Sequence, residues 1–413
     1  MKLLSTGKLT RANFSVWVIL AVSVFSTLAV THGDTTLVSG FAQHRIIPIT
    51  RYLLFFLTLF FTTWKNPSPH IALKIIWMVI WFFFTYIYYF EEAGFSFGLF
   101  DFCNIIFLLS IFFATKENLI KAVSLFKIYL VITSVLGIIA FADFVTGGHL
   151  PNEIVDYYAD YEDTFYVNYH FAYLGMRGDG IRLCGLFNEP GYFGTFIALY
   201  LVMDEIRLKK ISNIILLIAG ILTFSMACLI ILALGSLFFI IKNKHYYVAA
   251  AVVLIILTLP FLKDIQFENE SAKVLSTRVE NILDGTETIM GRRTDANFEQ
   301  IERRFEEDNH ILFGYGTGYC SKKGAYDTSS YKRNVVEWGY LGFGLVFLFL
   351  LFLVSSETKL NGSILFFILC ISISVSQRPQ IFIPAYFLLY FGGVNYLAGQ
   401  KARNRQHDNI IST

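Results

Sequence analysis

The chain has 413 residues, of which 55% are hydrophobic, 17% aromatic and only 15% charged. A soluble domain carries about 25% charged residues, so the composition excludes an ordinary soluble fold. The formal net charge of +2 says little, but where the charges sit says much, and nucleic acid is not expected as a partner.

Apolar runs of about 17–25 residues recur along almost the whole length. They lack the alternation of barrel strands, which leaves helices as the spanning elements. The expected fold is an all-α polytopic membrane protein, 1–413 forming one integral membrane domain. Its expected spans number about 12: 14–31, 46–63, 71–90, 96–114, 124–145, 183–203, 212–223, 225–241, 246–262, 334–354, 361–376 and 380–398. The basic start (Lys2, Lys8, Arg11) followed by an apolar run reads as an uncleaved first helix, because no small-residue cleavage site stands out.

Basic residues fall in alternate connections: the N-terminus, Lys65 and Lys74, Lys116 and Lys121, Arg207 to Lys210, Lys242 and Lys244, Lys359, and Lys401 to Arg405. Placing all of these in the cytoplasm puts both termini inside. Clusters flank 212–241 on both sides, so that stretch crosses twice or enters and returns, with its break at Thr223-Phe224-Ser225. Two long loops then fall outside, 146–182 and 264–333. The first mixes acids with Tyr157, Tyr158, Tyr161, Tyr166 and Tyr169. Those rings suit either stacking on sugar faces or packing onto the headgroup region.

Three stretches carry chemistry. The first is RLCGLFNEPGYFG, 182–194. Read as a helix, it sets Arg182, Gly185 and Glu189 on one face, with Pro190 freeing a carbonyl near Leu186. Ionisable groups at a membrane edge cost several kcal/mol unless paired or hydrated, which marks a functional site; an ion pair that pins two helices is the alternative. Arg177 lies just upstream. The second stretch, 290–319, contains Phe298, Ile301 and Phe305 at helical spacing, read as an amphipathic helix on the outer membrane surface. Arg292 and Arg293 precede it, and guanidinium forks suit a diphosphate. Gly314, Gly316 and Gly318 read as a tight re-entry turn. The third, 329–354, holds Tyr331, Glu337, Gly339 and Gly342, while Arg378 lies in a short outer turn. Arg51, Asp101 and Asp143 read as site residues or as helix glue. Cys184 and Cys320 are the one pair that an outer disulfide would join. No Cys-x-x-Cys or paired-His spacing appears, so no metal or other cofactor is expected.

Taken together, these stretches resemble the O-antigen polymerase and ligase superfamily, which includes the Wzy-type polymerases. The resemblance rests on Arg182, Gly185, Phe187, Asn188, Glu189 and Pro190; on Thr223 and Ser225; on Gly291 and Arg292; on Gly314 and Gly316; and on Glu337, Gly339 and Gly342. It covers most of 180–350. It implies a GT-C-like fold with two large periplasmic loops in the bacterial inner membrane. It implies a glycosyltransferase that joins undecaprenyl-diphosphate-linked oligosaccharide repeat units into O-antigen or a similar surface polysaccharide. A polysaccharide chain-length regulator and a flippase would be its partners, beside membrane lipid. The implied chemistry needs positive charge on the leaving diphosphate, from Arg177, Arg182, Arg292 and Arg293, with Asn188, Arg378 and Tyr331 as further substrate contacts. It also needs a base, Glu189 first and Glu337 second, with a pKa raised by partial burial. One departure matters. Ligases carry a His shortly before the Glu-x-Gly, and here Asp327, Ser329 and Tyr331 occupy that region, which favours polymerase over ligase. Rival readings are an O-antigen ligase, a lipid-linked oligosaccharide or solute transporter, which would show internal symmetry and midplane charges, and a non-catalytic scaffold.

Overall fold

The computed structural model describes residues 11–29, 46–61, 70–93, 97–156, 164–177, 180–242, 296–308, 310–325, 331–356, 358–377 and 382–411. The described chain is mostly helical. Helices α1 (Arg11–Phe25), α2 (Ile47–Phe61), α3 (Ile71–Phe82), α4 (Leu99–Phe112) and α5 (Lys116–Val145) precede a four-stranded sheet. After it come α6 (Pro190–Met203), α7 (Ile211–Leu222), α8 (Met226–Lys242), α9 (Ala296–Glu307) and the one-turn α10 (Tyr319–Lys322). Helix α11 (Tyr331–Phe343) runs through a π-turn into α12 (Phe349–Ser356), followed by α13 (Gly362–Gln377) and α14 (Pro384–Ile411). Among the described residues two helical runs are long and apolar enough to cross a bilayer, Lys116–Val145 and Tyr331–Ser356, and several shorter apolar helices accompany them. The expected span 246–262 lies outside the described residues.

Helix α6 is the centre of the bundle, every residue of it buried. A helix that is apolar all round belongs where neighbours cover every face, and β4, α7, α8, α13 and α14 all pack on it. Aromatic rings fill the contacts: Phe196 stacks on Tyr386 at 4.4 Å and Phe187 on Phe193 at 4.8 Å.

The sheet corrects the all-α expectation. Strands β1 (Glu153–Asp156), β2 (Thr164–Asn168), β3 (Tyr173–Arg177) and β4 (Gly180–Gly185) form an antiparallel meander in chain order. Val167, Leu174 and Ile181 pack on the end of α5, around Ala140 and Phe144. Tyr166, Tyr169 and Tyr173 of the aromatic outer loop are thereby buried in protein rather than spread on headgroups. Tyr157, Tyr158 and Tyr161 lie outside the described residues.

Helix α9 corrects a second expectation. Its apolar stripe, Phe298, Ile301 and Phe305, faces Cys320, Ala325, Val335 and Val336 instead of lipid. Lys332 of α11 pairs with Glu302 at 2.7 Å and fixes the same face. An amphipathic pattern specifies a buried stripe, and here protein rather than membrane covers it.

At the C-terminal end of α6, Lys127, Arg207, Lys210 and Lys242 converge. Asp204 is fully buried and accepts from Lys210 (2.9 Å), Asn213 (2.9 Å) and Lys127 (3.3 Å). Next to it Glu205 binds Arg207 and Lys242, each at 2.7 Å. At the opposite end sit the start of α6, the end of α1 and the start of α14, where the Ala385 amide donates to Ser26 Oγ at 3.2 Å. Burial pushes the Asp204 carboxyl up, but the hydrogen bonds of Lys210 and Asn213 and the charges of Lys127 and Lys210 carry it below its ordinary value. Its contribution to stability is therefore present above the ordinary carboxylate range and lost as pH falls through the depressed value. Asp204→Asn should cost about 3 kcal/mol by stranding two lysines. The check is thermal unfolding of the detergent-solubilised protein, with Glu205→Gln, at a half-exposed pair, costing clearly less.

Candidate active site

Residues 182–189 are a strand end and a turn, not a helix, which overturns the expected single face of Arg182, Gly185 and Glu189. Arg182 belongs to β4, paired opposite Gly175. Gly185 closes the strand at φ 63, hard against Thr133 of α5. The helix begins only at Pro190, in its first turn, where the missing N–H costs nothing and the fixed φ is favourable. Pro190 therefore starts the helix rather than freeing the carbonyl of Leu186.

The chain break at 223–225 falls where the sequence places it: α7 ends at Leu222, α8 starts at Met226, and Phe224 takes φ 46. Arg182 closes this break. Its Nε donates to the Thr223 carbonyl at 3.0 Å and its Nη2 to the Phe224 carbonyl at 3.2 Å. A guanidinium fork suits two adjacent acceptors, and a carbonyl pair left by an unwound helix supplies them. Gly194 lets α6 pass close by, since a Cβ there would stand 2.5 Å from Thr223 Oγ1.

Depth follows from length. Helix α7 has 12 residues and α6 has 14. Each rises about 20 Å, short of the hydrocarbon thickness of about 30 Å. Counted from the basic end, the Arg182 clamp and Glu189 lie about 20 Å along the bundle. Glu189 is the N-cap of α6, half-buried, with no capping bond from its side chain. The helix dipole stabilises a carboxylate there. Asn188 beside it is buried, and its carbonyl accepts from the Tyr166 hydroxyl. A small cleft of about 30 Å³ opens at this level, lined by Ser26, Thr27, Phe187, Asn188, Tyr192, Phe196 and Ile383.

A second polar centre surrounds Glu337. Its carboxylate is buried and accepts from Arg333 Nε and from the Cys320 amide, both at 3.3 Å. Arg333 also donates to Ser321 Oγ at 2.6 Å. Sequence reading passed over Arg333, although it stands one helical turn before Glu337, an ion-pair spacing. Helix α11 breaks at Gly339 (φ 67). The glycine-rich loop fills the break rather than making a simple turn. Tyr315 and Gly316 amides donate to the Val336 and Glu337 carbonyls at 3.0 and 2.8 Å, and Tyr340 and Leu341 amides to Ile311 and Leu312 carbonyls at 3.0 Å each. Trp338 Nε1 donates to Thr317 Oγ1, which donates to the Phe84 carbonyl. Trp338 also faces Phe382, the neighbour of cleft residue Ile383, so the two centres adjoin. The Glu337 carboxylate itself is not part of the cleft lining.

Among the remaining expected residues, Arg177 ends β3 and Tyr331 starts α11 with its ring on Phe343. Arg292, Arg293 and Arg378 lie outside the described residues. Cys184 and Cys320 are buried free thiols in separate clusters, so the one outer pairing that the sequence left open is not made. Arg51 lies over the Phe100 ring, Asp101 caps the Gly98 amide, and Asp143 accepts from the Tyr169 hydroxyl. Among the described residues no group of three or more acidic, His or Cys side chains has the makings of a metal site. No protein-family model, curated protein or solved structure matches the chain.

Gly339→Ala should destabilise by at least about 2 kcal/mol, from a left-handed backbone alone, because its Cβ would also meet the Leu312 carbonyl. Gly344→Ala, whose Cβ meets only Leu348 at 3.9 Å, should leave the melting temperature near wild type. Equal melting of the two variants contradicts the loop-in-break geometry.

Proposed function

We propose that this chain polymerises undecaprenyl-diphosphate-linked oligosaccharide repeat units into O-antigen or a similar surface polysaccharide at the outer face of a bacterial inner membrane. In this reading about 12 helices cross the bilayer and both termini are cytoplasmic. The cluster of Lys127, Arg207, Lys210 and Lys242 at one end of α6, with the cleft at the other, supports that orientation. The observation that carries the reading is that the Arg182 clamp on the 223–225 break and Glu189, next to the cleft residue Asn188, share the N-terminal end of α6. In this reading that end lies beneath the outer membrane surface, where it suits a substrate whose lipid lies in the bilayer and whose diphosphate and sugars emerge from it.

The reaction breaks the bond between the anomeric carbon of the growing glycan and the diphosphate oxygen. Undecaprenyl diphosphate leaves with the electron pair. A hydroxyl at the non-reducing end of the incoming repeat forms the new C–O bond, and its proton passes to Glu189. Glu189 is assigned the base role because its half-buried carboxylate stands next to Asn188, a residue of the cleft lining. Arg182 is the positioning residue: its fork holds the broken helix, and its charge lies beside the leaving diphosphate. Arg177, Arg292, Arg293 and Arg378 are proposed to complete the positive field, and Asn188 and Tyr331 to contact sugar. Glu337, engaged by Arg333 and the Cys320 amide, fits an anchoring role better than the second-base role. The chemistry as written uses no cofactor. A flippase would supply the substrate and a chain-length regulator would end the polymer.

The test is complementation of cells lacking this protein, read as the glycan ladder on a gel with protein abundance checked. Wild type should restore a multi-repeat ladder. Glu189→Gln, at equal abundance, should leave single repeats, with a rate lower by about 100-fold or more. Long chains that persist on the lipid carrier without the protein, but never reach the surface glycolipid, would instead establish the ligase reading. Single repeats that fail to reach the outer face would point to transport.

A further inference from the structure

The loop that fills the α11 break presents Ile311, Leu312 and Phe313 outward, exposed to 36%, 59% and 55%. Three consecutive exposed apolar residues are costly in water and are not needed for the loop's hydrogen bonds, which are made by its backbone. They are not isolated. The Leu341 amide binds the Leu312 carbonyl, and exposed Leu341, Leu345 and Leu348 continue the same strip down α11 and the π-turn. On the other side the Tyr88 hydroxyl donates to the Gly314 carbonyl, and exposed Phe83 stacks on Tyr88.

The depth agrees. From Gly339 to Ser356 the helical run rises about 26 Å, a few ångströms short of the hydrocarbon thickness of about 30 Å. A loop paired to Gly339's neighbours therefore sits just beneath the rim on the side opposite Ser356. Non-helical backbone is tolerated at that depth only when its polar groups are satisfied, and here α11 satisfies them. We infer that Ile311–Phe313 is a shallow membrane wedge, its side chains among the acyl chains of the leaflet nearest the candidate cleft. The occupant of this surface is bilayer lipid, because the strip it extends is the lipid-facing side of a spanning helix. The inference rests on the chain spanning a membrane and not on any glycan chemistry. It has a consequence for the neighbouring centre. The wedge backbone is hydrogen-bonded through residues 315–316 to the Val336 and Glu337 carbonyls, so leaflet packing bears directly on the Glu337–Arg333 centre.

The test uses the full chain in phosphatidylcholine–phosphatidylglycerol nanodiscs, with a nitroxide on Leu312→Cys and, separately, on Phe313→Cys. Leu348→Cys serves as the lipid reference and Lys322→Cys as the aqueous reference. Collision rates are measured with oxygen, which concentrates in hydrocarbon, and with a neutral nickel chelate, which stays in water. The expected result is an oxygen-to-nickel accessibility ratio at both wedge positions several-fold above that at Lys322 and approaching that at Leu348. A ratio matching Lys322 would overturn the wedge. So would low accessibility to both agents, which would mean that protein, from this chain or a second copy, covers the strip. Two wedge positions guard against one variant that misfolds, and circular dichroism with gel filtration identifies such a variant.

Discussion

A helix that unwinds inside a packed core must find partners for the backbone groups it releases, and that constraint organises this molecule. It unwinds at two described places, after α7 and within α11. Each is repaired by a connecting segment: the first by the guanidinium of Arg182 reaching from β4, the second by the backbone of residues 311–316. Unpaired carbonyls in hydrocarbon cost several kcal/mol each, so these contacts are conditions for the breaks to exist. These two connecting segments are therefore structural parts of the helical bundle.

The repairs also shape the recess. With α7 halted at Leu222 and α6 begun at Pro190, both helices end near the same level. The cleft there is lined by residues just after α1, by the turn before α6, by the first turns of α6 and by Ile383 just before α14. At the other end, the Asp204 network ties α5, α6, α7 and α14 together through side chains separated by up to 192 residues in sequence. One end of the central helix is fixed by buried charge and the other carries the small cleft beside Asn188 and Glu189, an asymmetry along one helix.

The sequence told some of this and hid the rest for physical reasons. The break at 223–225 was legible because basic clusters flank a stretch too long for one span. The residues of the Arg182 clamp were both singled out, although their contact was not. The stretch 182–189 was misread as helix because a short apolar run has no decisive period, and Pro190, a helix-start signal, was taken for a kink. The stripe on α9 gave its amphipathicity but not its partner. Lys127 and Asp204 carry no local signal at all, since their pairing depends on how α5 and α6 lie together. Arg333 had a signal, its spacing to Glu337, and was overlooked beside more prominent charges.

The central claim is that the protein itself forms glycosidic bonds between lipid-linked repeats. The direct measurement is reconstitution of the purified chain in liposomes containing only an undecaprenyl-diphosphate-linked repeat unit, with products resolved by mass spectrometry. The account gives glycans of two and more repeats on undecaprenyl diphosphate, with one free undecaprenyl diphosphate released per bond formed, and neither product with Glu189→Gln. Unchanged single repeats in liposomes bearing well-folded wild-type protein would contradict it.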